Sequence, residues 1–115
     1  MAGNNIAKEK KEIGLAIIGC GTIGRIRGMF AKDYPGIGWI GLCDVKEELG
    51  RKLAEDVGAD YYTTDFSELI ARPEVTATII ATDENQHFAP TMAAIERGHE
   101  LFIEKPLATD AEESR

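Results

Sequence analysis

Little in this chain suits it to hold a metal, span a bilayer or grip a nucleic acid. Cysteine occurs only twice in 115 residues, at Cys20 and Cys43, and no Cys/His cluster has the spacing of a zinc site. Basic residues are outnumbered, with 13 Lys and Arg against 20 Asp and Glu and a net charge of −7. Nucleic-acid and anionic-membrane surfaces need clustered cations, so neither is an expected partner. The longest apolar stretches span about eight residues, against roughly 20 for a bilayer-crossing helix. The polar N-terminus has no apolar core of a secretory signal, which makes the cytoplasm the default compartment. Internal repeats and low-complexity linkers are also lacking. The composition, 43% hydrophobic and 29% charged, is that of a folded domain of modest core.

Residues 13–24 are the stretch the rest is organised around. An apolar run, Leu15 to Ile18, leads into Gly19, Gly21 and Gly24 at G-x-G-x-x-G spacing, and a helical pattern follows. Each glycine has its own physical task. Gly19 permits a sharp turn off the strand, Gly21 lets a pyrophosphate lie against bare backbone, and Gly24 lets the helix approach the sheet. The anion would meet unpaired N–H groups and the positive end of the helix dipole. A second apolar run ends in Asp44, 20 positions beyond Gly24, where a carboxylate can accept hydrogen bonds from both hydroxyls of an adenosine ribose. The bland alternative is an ordinary strand–helix turn with Asp44 as a solvated strand end. No G-K-[S/T] follows Gly24, which argues against a kinase-type phosphate loop.

Strand and helix patterns alternate along the chain. A loose leader occupies 1–11, and one dinucleotide-binding domain spans 12–115. Strands are expected at 13–18, 38–43, 61–62, 76–82 and 101–103. Helices are expected at 23–33, 46–57, 65–71 and 88–97, with a further helix start at 109–115. Leu49, Leu53, Ala54 and Val57 share one face of the second helix, in which Gly50 is unfavourable by ~1 kcal/mol against Ala. Phe88, Met92 and Ile95 share one face of the fourth. Thr64 or Asp65 caps the third. Short right-handed crossovers give an α/β fold, a doubly wound parallel sheet of order 3-2-1-4-5. A cofactor would lie where the order reverses, between strands one and four. Cys20 and Cys43 then end neighbouring strands, and are read as small buried or loop residues rather than a redox pair.

The turn after the fifth strand reads Glu104-Lys105-Pro106. With the glycine turn, Asp44 and the Ala81-Thr82 ending of strand four, the chain resembles the Gfo/Idh/MocA family of nicotinamide-dependent oxidoreductases from Ile13 to its last residue. The resemblance implies a Rossmann domain whose pyrophosphate site is Gly19, Gly21, Thr22, Ile23 and Gly24, with Asp44 on the adenosine ribose. It points to Lys105 as the catalytic residue facing nicotinamide and substrate, with Glu104 beside it. Family members often carry T-P-N-x-x-H after strand four. Here Thr82 and His87 are kept, while Asp83 and Glu84 replace Pro and Asn. His87 is either a cofactor contact or a histidine satisfying backbone groups at a helix start. Pro106 biases Lys105 toward an extended backbone, and a cation in the crevice can stabilise an alkoxide. Asp44 opposes a 2′-phosphate by like charge, favouring NAD over NADP.

Family members carry a second α/β domain that forms the substrate wall. This chain is therefore expected to be the cofactor domain of an oxidoreductase acting on a secondary alcohol of a sugar or cyclitol by hydride transfer, inactive or nearly so alone. The resemblance leaves two other readings: an NAD-dependent glycoside hydrolase domain, and a non-catalytic dinucleotide-binding regulatory module. An unprotected fifth strand would offer an edge for a homo-oligomer.

Overall fold

The computed structural model describes residues 13–82 and 88–104. The 1–11 leader, His87, Lys105 and the 109–115 helix start lie outside them. In chain order the elements are β1 (Ile13–Ile18), α1 (Thr22–Ala31), β2 (Ile37–Cys43), α2 (Glu47–Val57), β3 (Tyr61–Thr63), α3 (Phe66–Ile70), β4 (Ala77–Ile80), α4 (Phe88–Glu96) and β5 (Glu100–Ile103). The strands form one parallel sheet of order β3-β2-β1-β4-β5, the expected doubly wound α/β arrangement.

The period of a strand, two residues, explains the two-sided core. Leu15 and Ile17 of β1 face one layer, packing with Leu42, Leu53 and Val57. Ala16 and Ile18 face the other, packing with Leu69, Ile70, Ile80 and Ala94. Helices α1 and α2 thus cover one face, α3 and α4 the other, so β1 reads as a continuous apolar run. Ile17, Leu42, Leu53, Leu69, Ile70 and Ile80 are fully buried, and burial of such a side chain contributes roughly 1.5–3 kcal/mol. The one buried polar side chain among the described residues, Thr78, lies 3.0 Å through its hydroxyl from His99 Nδ1. Burial, and then Arg97, lowers the pKa of His99 and favours the neutral ring.

Several elements differ from the pattern in the sequence, each for a local reason. Helix α1 ends at Ala31 rather than residue 33, because Pro35 disfavours helical backbone at Tyr34. The chain unwinds there through Asp33 N–H to Phe30 and Tyr34 N–H to Ala31. Strand β4 stops at Ile80 instead of residue 82, since β1 turns away at Gly19 and the pairing ends. Asp65, not Thr64, caps α3, its carboxylate accepting the Ser67 N–H at 2.9 Å.

Helix α2 turns its expected face inward at Leu53, Ala54 and Val57 with only Leu49 left out, whereas α4 presents another face. In α2 the buried residues are Gly50, Leu53 and Val57, while Leu49 is 40% exposed. A Cβ on Gly50 would lie 2.1 Å from Tyr62 Cε1, so this glycine seats a ring. In α4 the side turned inward carries Pro90 and Ala94, whose small bulk allows close packing on the sheet. Phe88, Met92 and Ile95 point outward, with Phe88 75% exposed. Among the described residues β5 pairs with β4 alone, and Phe102 and Ile103 are exposed. No described helix is long and apolar enough to cross a membrane.

Candidate functional site

Strands β1 and β4 stay paired to their ends, but the connections after them run to opposite faces of the sheet, and a crevice opens there at the carboxyl ends of the strands. Its cavity, about 740 Å³, is lined by Ile18 at the end of β1, Gly19 and Gly21 of the glycine turn, Cys43 at the end of β2, and Asp44, Val45, Lys46 and Leu49 after it. Thr64, Phe66, Ala81, Thr82, Phe88, Ala89 and Pro90 complete the wall. The volume is within the usual range for a small-molecule site.

The three glycines of the turn behave differently. Gly19 has φ +103°, a conformation that L side chains rarely adopt. Its N–H donates to the Cys43 carbonyl at 2.8 Å, which ties the turn to the end of β2. A Cβ on Gly24 would lie 1.7 Å from the Gly19 carbonyl oxygen, so helix and turn are in direct contact there. Gly21 is the opposite case. Among the described residues, none beyond its immediate chain neighbours comes within 4 Å of where its Cβ would be, and bare backbone faces the cavity.

Among the described residues, no side chain caps the start of helix α1. Its N-cap, Gly21, has no side chain to offer, and no acidic residue occupies the first turn. The first intrahelical bond runs from Arg25 N–H to the Gly21 carbonyl at 2.8 Å. The N–H groups of Thr22, Ile23 and Gly24 therefore precede the helical ladder. By contrast, α2 carries Glu47 and Glu48 in its first turn, and α3 has its Asp65 cap. An anion would supply to α1 what acidic side chains supply to α2 and α3.

Asp44 faces the same space. Its Oδ2 accepts the Cys20 N–H at 2.7 Å, and its Oδ1 accepts the Lys46 N–H at 2.8 Å. A carboxylate has about four acceptor positions. The two backbone donors use one on each oxygen and leave one on each, which matches a vicinal diol. Val45, 74% exposed, and Leu49 add apolar surface beside it. These walls, with Phe66 and Phe88, were not legible as site residues. Their only signal was apolarity, which reads equally as core.

Gly19, Gly21, Asp44 and Thr82 thus converge on one cavity, with Thr22, Ile23 and Gly24 forming the helix start behind it. Glu104 does not line it. At the end of β5 its Oε2 and Oε1 accept from Arg27 Nε and Nη2 on α1, at 2.5 and 3.1 Å. The ion pair ties the end of β5 to the first helix. Among the described residues no group of three or more His, Cys, Asp or Glu could hold a metal.

The cysteines are unpaired and buried. Cys20 Sγ lies 3.6 Å from the Cys43 carbonyl oxygen. Burial, with the Asp44 carboxylate adding to it, pushes both thiols up to about 12. Burial therefore leaves very little reactive thiolate on either residue at pH 8. In the folded chain both are expected to resist iodoacetamide at pH 8 for hours, and to react within minutes in guanidinium. Mass spectrometry would show it, and rapid labelling of the native chain would contradict the burial.

A parallel doubly wound sheet with a glycine turn, an uncapped helix and a strand-end carboxylate on one crevice defines a dinucleotide-binding domain. The chain belongs to the Gfo/Idh/MocA oxidoreductase family, as its NAD-binding Rossmann fold, with the family model matching residues 13–115. It is 38% identical over 102 residues to an inositol 2-dehydrogenase/D-chiro-inositol 3-dehydrogenase of Shouchella clausii, covering 85% of this chain and 29% of that protein. Identity is 36% over 98 residues to a 2,7-anhydro-N-acetylneuraminate hydratase of Mediterraneibacter gnavus, covering 85% and 25%. The crystal structure of GenD2 from gentamicin A biosynthesis in complex with NAD superposes with TM-score 0.77 at 28% identity, over 84% of this chain and 28% of that one. The chain therefore spans between a quarter and a third of the length of these relatives.

Proposed function

We propose that residues 12–115 are the cofactor domain of an NAD-dependent oxidoreductase that acts on a secondary alcohol of a sugar or cyclitol. The observation that carries this reading is the convergence of open backbone at Gly21, the uncapped start of α1 and the two spare acceptor positions of Asp44 on one cavity. Membership of the family and the dehydrogenases among its relatives support the reaction class. The N–H groups of Thr22, Ile23 and Gly24 would hold the diphosphate, Asp44 the adenosine ribose, and Val45 and Leu49 would flank the base. Thr82, and by the family resemblance His87 and Lys105, belong to the nicotinamide half. Bound nicotinamide supplies the hydride chemistry. Lys105, as a cation beside the reacting carbon, would stabilise the alkoxide formed as the hydroxyl loses its proton. The glycoside-hydrolase and regulatory-module readings are not favoured by these relatives. Cytoplasmic residence, and pairing of copies through the exposed edge at Phe102 and Ile103, go with this reading.

Calorimetry of the purified chain with NAD and NADP, followed by a turnover assay with polyols, tests it. Weak NAD binding, weaker NADP binding and turnover near background are expected. Indifference to both cofactors at millimolar concentration would sink the cofactor reading. Robust polyol oxidation would show that the remaining length of the relatives is dispensable.

A further inference from the structure

Asp44 sits one residue beyond the end of β2, where the regular ladder no longer supports the chain. The orientation of its carboxylate is nevertheless critical, because a diol is read by both oxygens at once. Its own N–H donates to the Thr63 carbonyl at 3.3 Å, a continuation of the β2–β3 pairing. Its carbonyl needs a different partner, since the chain bends here toward α2. That partner is the phenol of Tyr62, which donates to the Asp44 carbonyl oxygen at 2.9 Å.

Tyr62 lies on β3, outside the cavity lining. Its ring is half-buried against the core layer beneath α1 and α2. The glycine in α2 makes room for it: a Cβ on Gly50 would fall 2.1 Å from Cε1 and 2.8 Å from the hydroxyl. A helix that tolerates an unfavourable glycine mid-length does so here to admit this ring. Burial, followed by the Glu47 carboxylate, raises the phenol pKa, so the group remains a donor at neutral pH.

We infer that Tyr62 is a positioning residue for cofactor binding, its hydroxyl fixing the Asp44 backbone so that the carboxylate spans the Cys20 and Lys46 N–H groups and presents its remaining acceptors to the ribose. The inference rests on the cofactor reading above, and extends it to a residue that touches no ligand. A chain of contacts runs from β3 through Asp44 to the glycine turn: Tyr62 hydroxyl to Asp44 carbonyl, Asp44 carboxylate to Cys20 N–H. Loss of the first link therefore loosens the last.

Tyr62→Phe keeps the ring and removes only the donor. One hydrogen bond of this kind contributes about 0.5–1.5 kcal/mol, so NAD binding measured by calorimetry should weaken about 2- to 13-fold. In the ligand-free chain, amide exchange followed by NMR should accelerate at Cys20 and Lys46 by about the same factor, while the Leu42 amide in the core of β2 keeps its rate. Gly50→Ala is the second variant. It improves the intrinsic helix propensity of α2 but displaces the ring, and should produce the same pair of changes with the hydroxyl still present. A purely packing role for Tyr62 predicts that the Phe variant matches wild type in both readouts, and that result overturns the inference. Faster exchange spread evenly over Cys20, Lys46 and Leu42 also overturns it, as a general loosening. Should the wild-type chain take no NAD at all, the cofactor reading falls, while the Cys20 amide still decides whether Tyr62 holds Asp44.

Discussion

Gly21→Ala is expected to weaken NAD binding about 30- to 150-fold, or ~2–3 kcal/mol, while the melting temperature stays close to that of wild type. The backbone at Gly21 is extended with φ −76°, open to residues other than glycine, and among the described residues none beyond its chain neighbours would lie within 4 Å of the added Cβ. The fold is therefore indifferent to the methyl, and only a molecule resting on that backbone would meet it. Gly24→Ala adds the same group three residues later with the opposite outcome. Its Cβ would lie 1.7 Å from the Gly19 carbonyl, and backbone has to move. Overpacking of that kind costs about 1–3 kcal/mol or more, and each kcal/mol lowers the melting temperature of a domain this size by about 4–8 °C. Calorimetric titration paired with thermal denaturation separates the two. Wild-type NAD affinity in a folded Gly21→Ala chain would remove the diphosphate from this turn.

The double substitution Asp44→Ser with Val45→Arg should move cofactor preference from NAD to NADP, changing the ratio of the two dissociation constants by about 100-fold or more. Two unit charges 4 Å apart repel by ~4 kcal/mol at an effective dielectric of 20, so a 2′-phosphate beside the Asp44 carboxylate is strongly disfavoured. Val45 is largely exposed on the cavity wall and can be replaced by a long side chain without disturbing the core. An arginine there offers a forked donor suited to phosphate. Serine at 44 also gives up the acceptor for the Cys20 and Lys46 N–H groups. Absolute affinity for both cofactors should consequently drop, and the ratio is the quantity to read by titration. An unchanged ratio would place the adenosine ribose away from Asp44.

The sheet order and the main site features were legible because their signals are local. An apolar run, three glycines at fixed spacing and an acid closing the next strand each lie within a few residues of the backbone they control. What escaped was spatial. Gly50 read as a weak point in a helix until the Tyr62 ring appeared against it from β3. The apolar stripe of Phe88, Met92 and Ile95 was real, yet the sheet took the side bearing Pro90 and Ala94. Periodicity reveals that a stripe exists, whereas the depth of the groove decides which side enters it. The Arg27–Glu104 pair joins residues 77 apart and has no local signature. Leu49 showed the same ambiguity, since an apolar side chain suits a cavity wall as well as a core.

The bond from the Cys20 amide to the Asp44 carboxylate has a thermodynamic consequence. It crosses from the first strand's turn to the second strand's end before any ligand arrives. On the proposed cofactor reading, the groups that would meet phosphate and sugar thus share one frame, whose ordering entropy is spent when the domain folds. Association on that side can proceed as a docking onto a finished surface, with little loop freedom left to freeze.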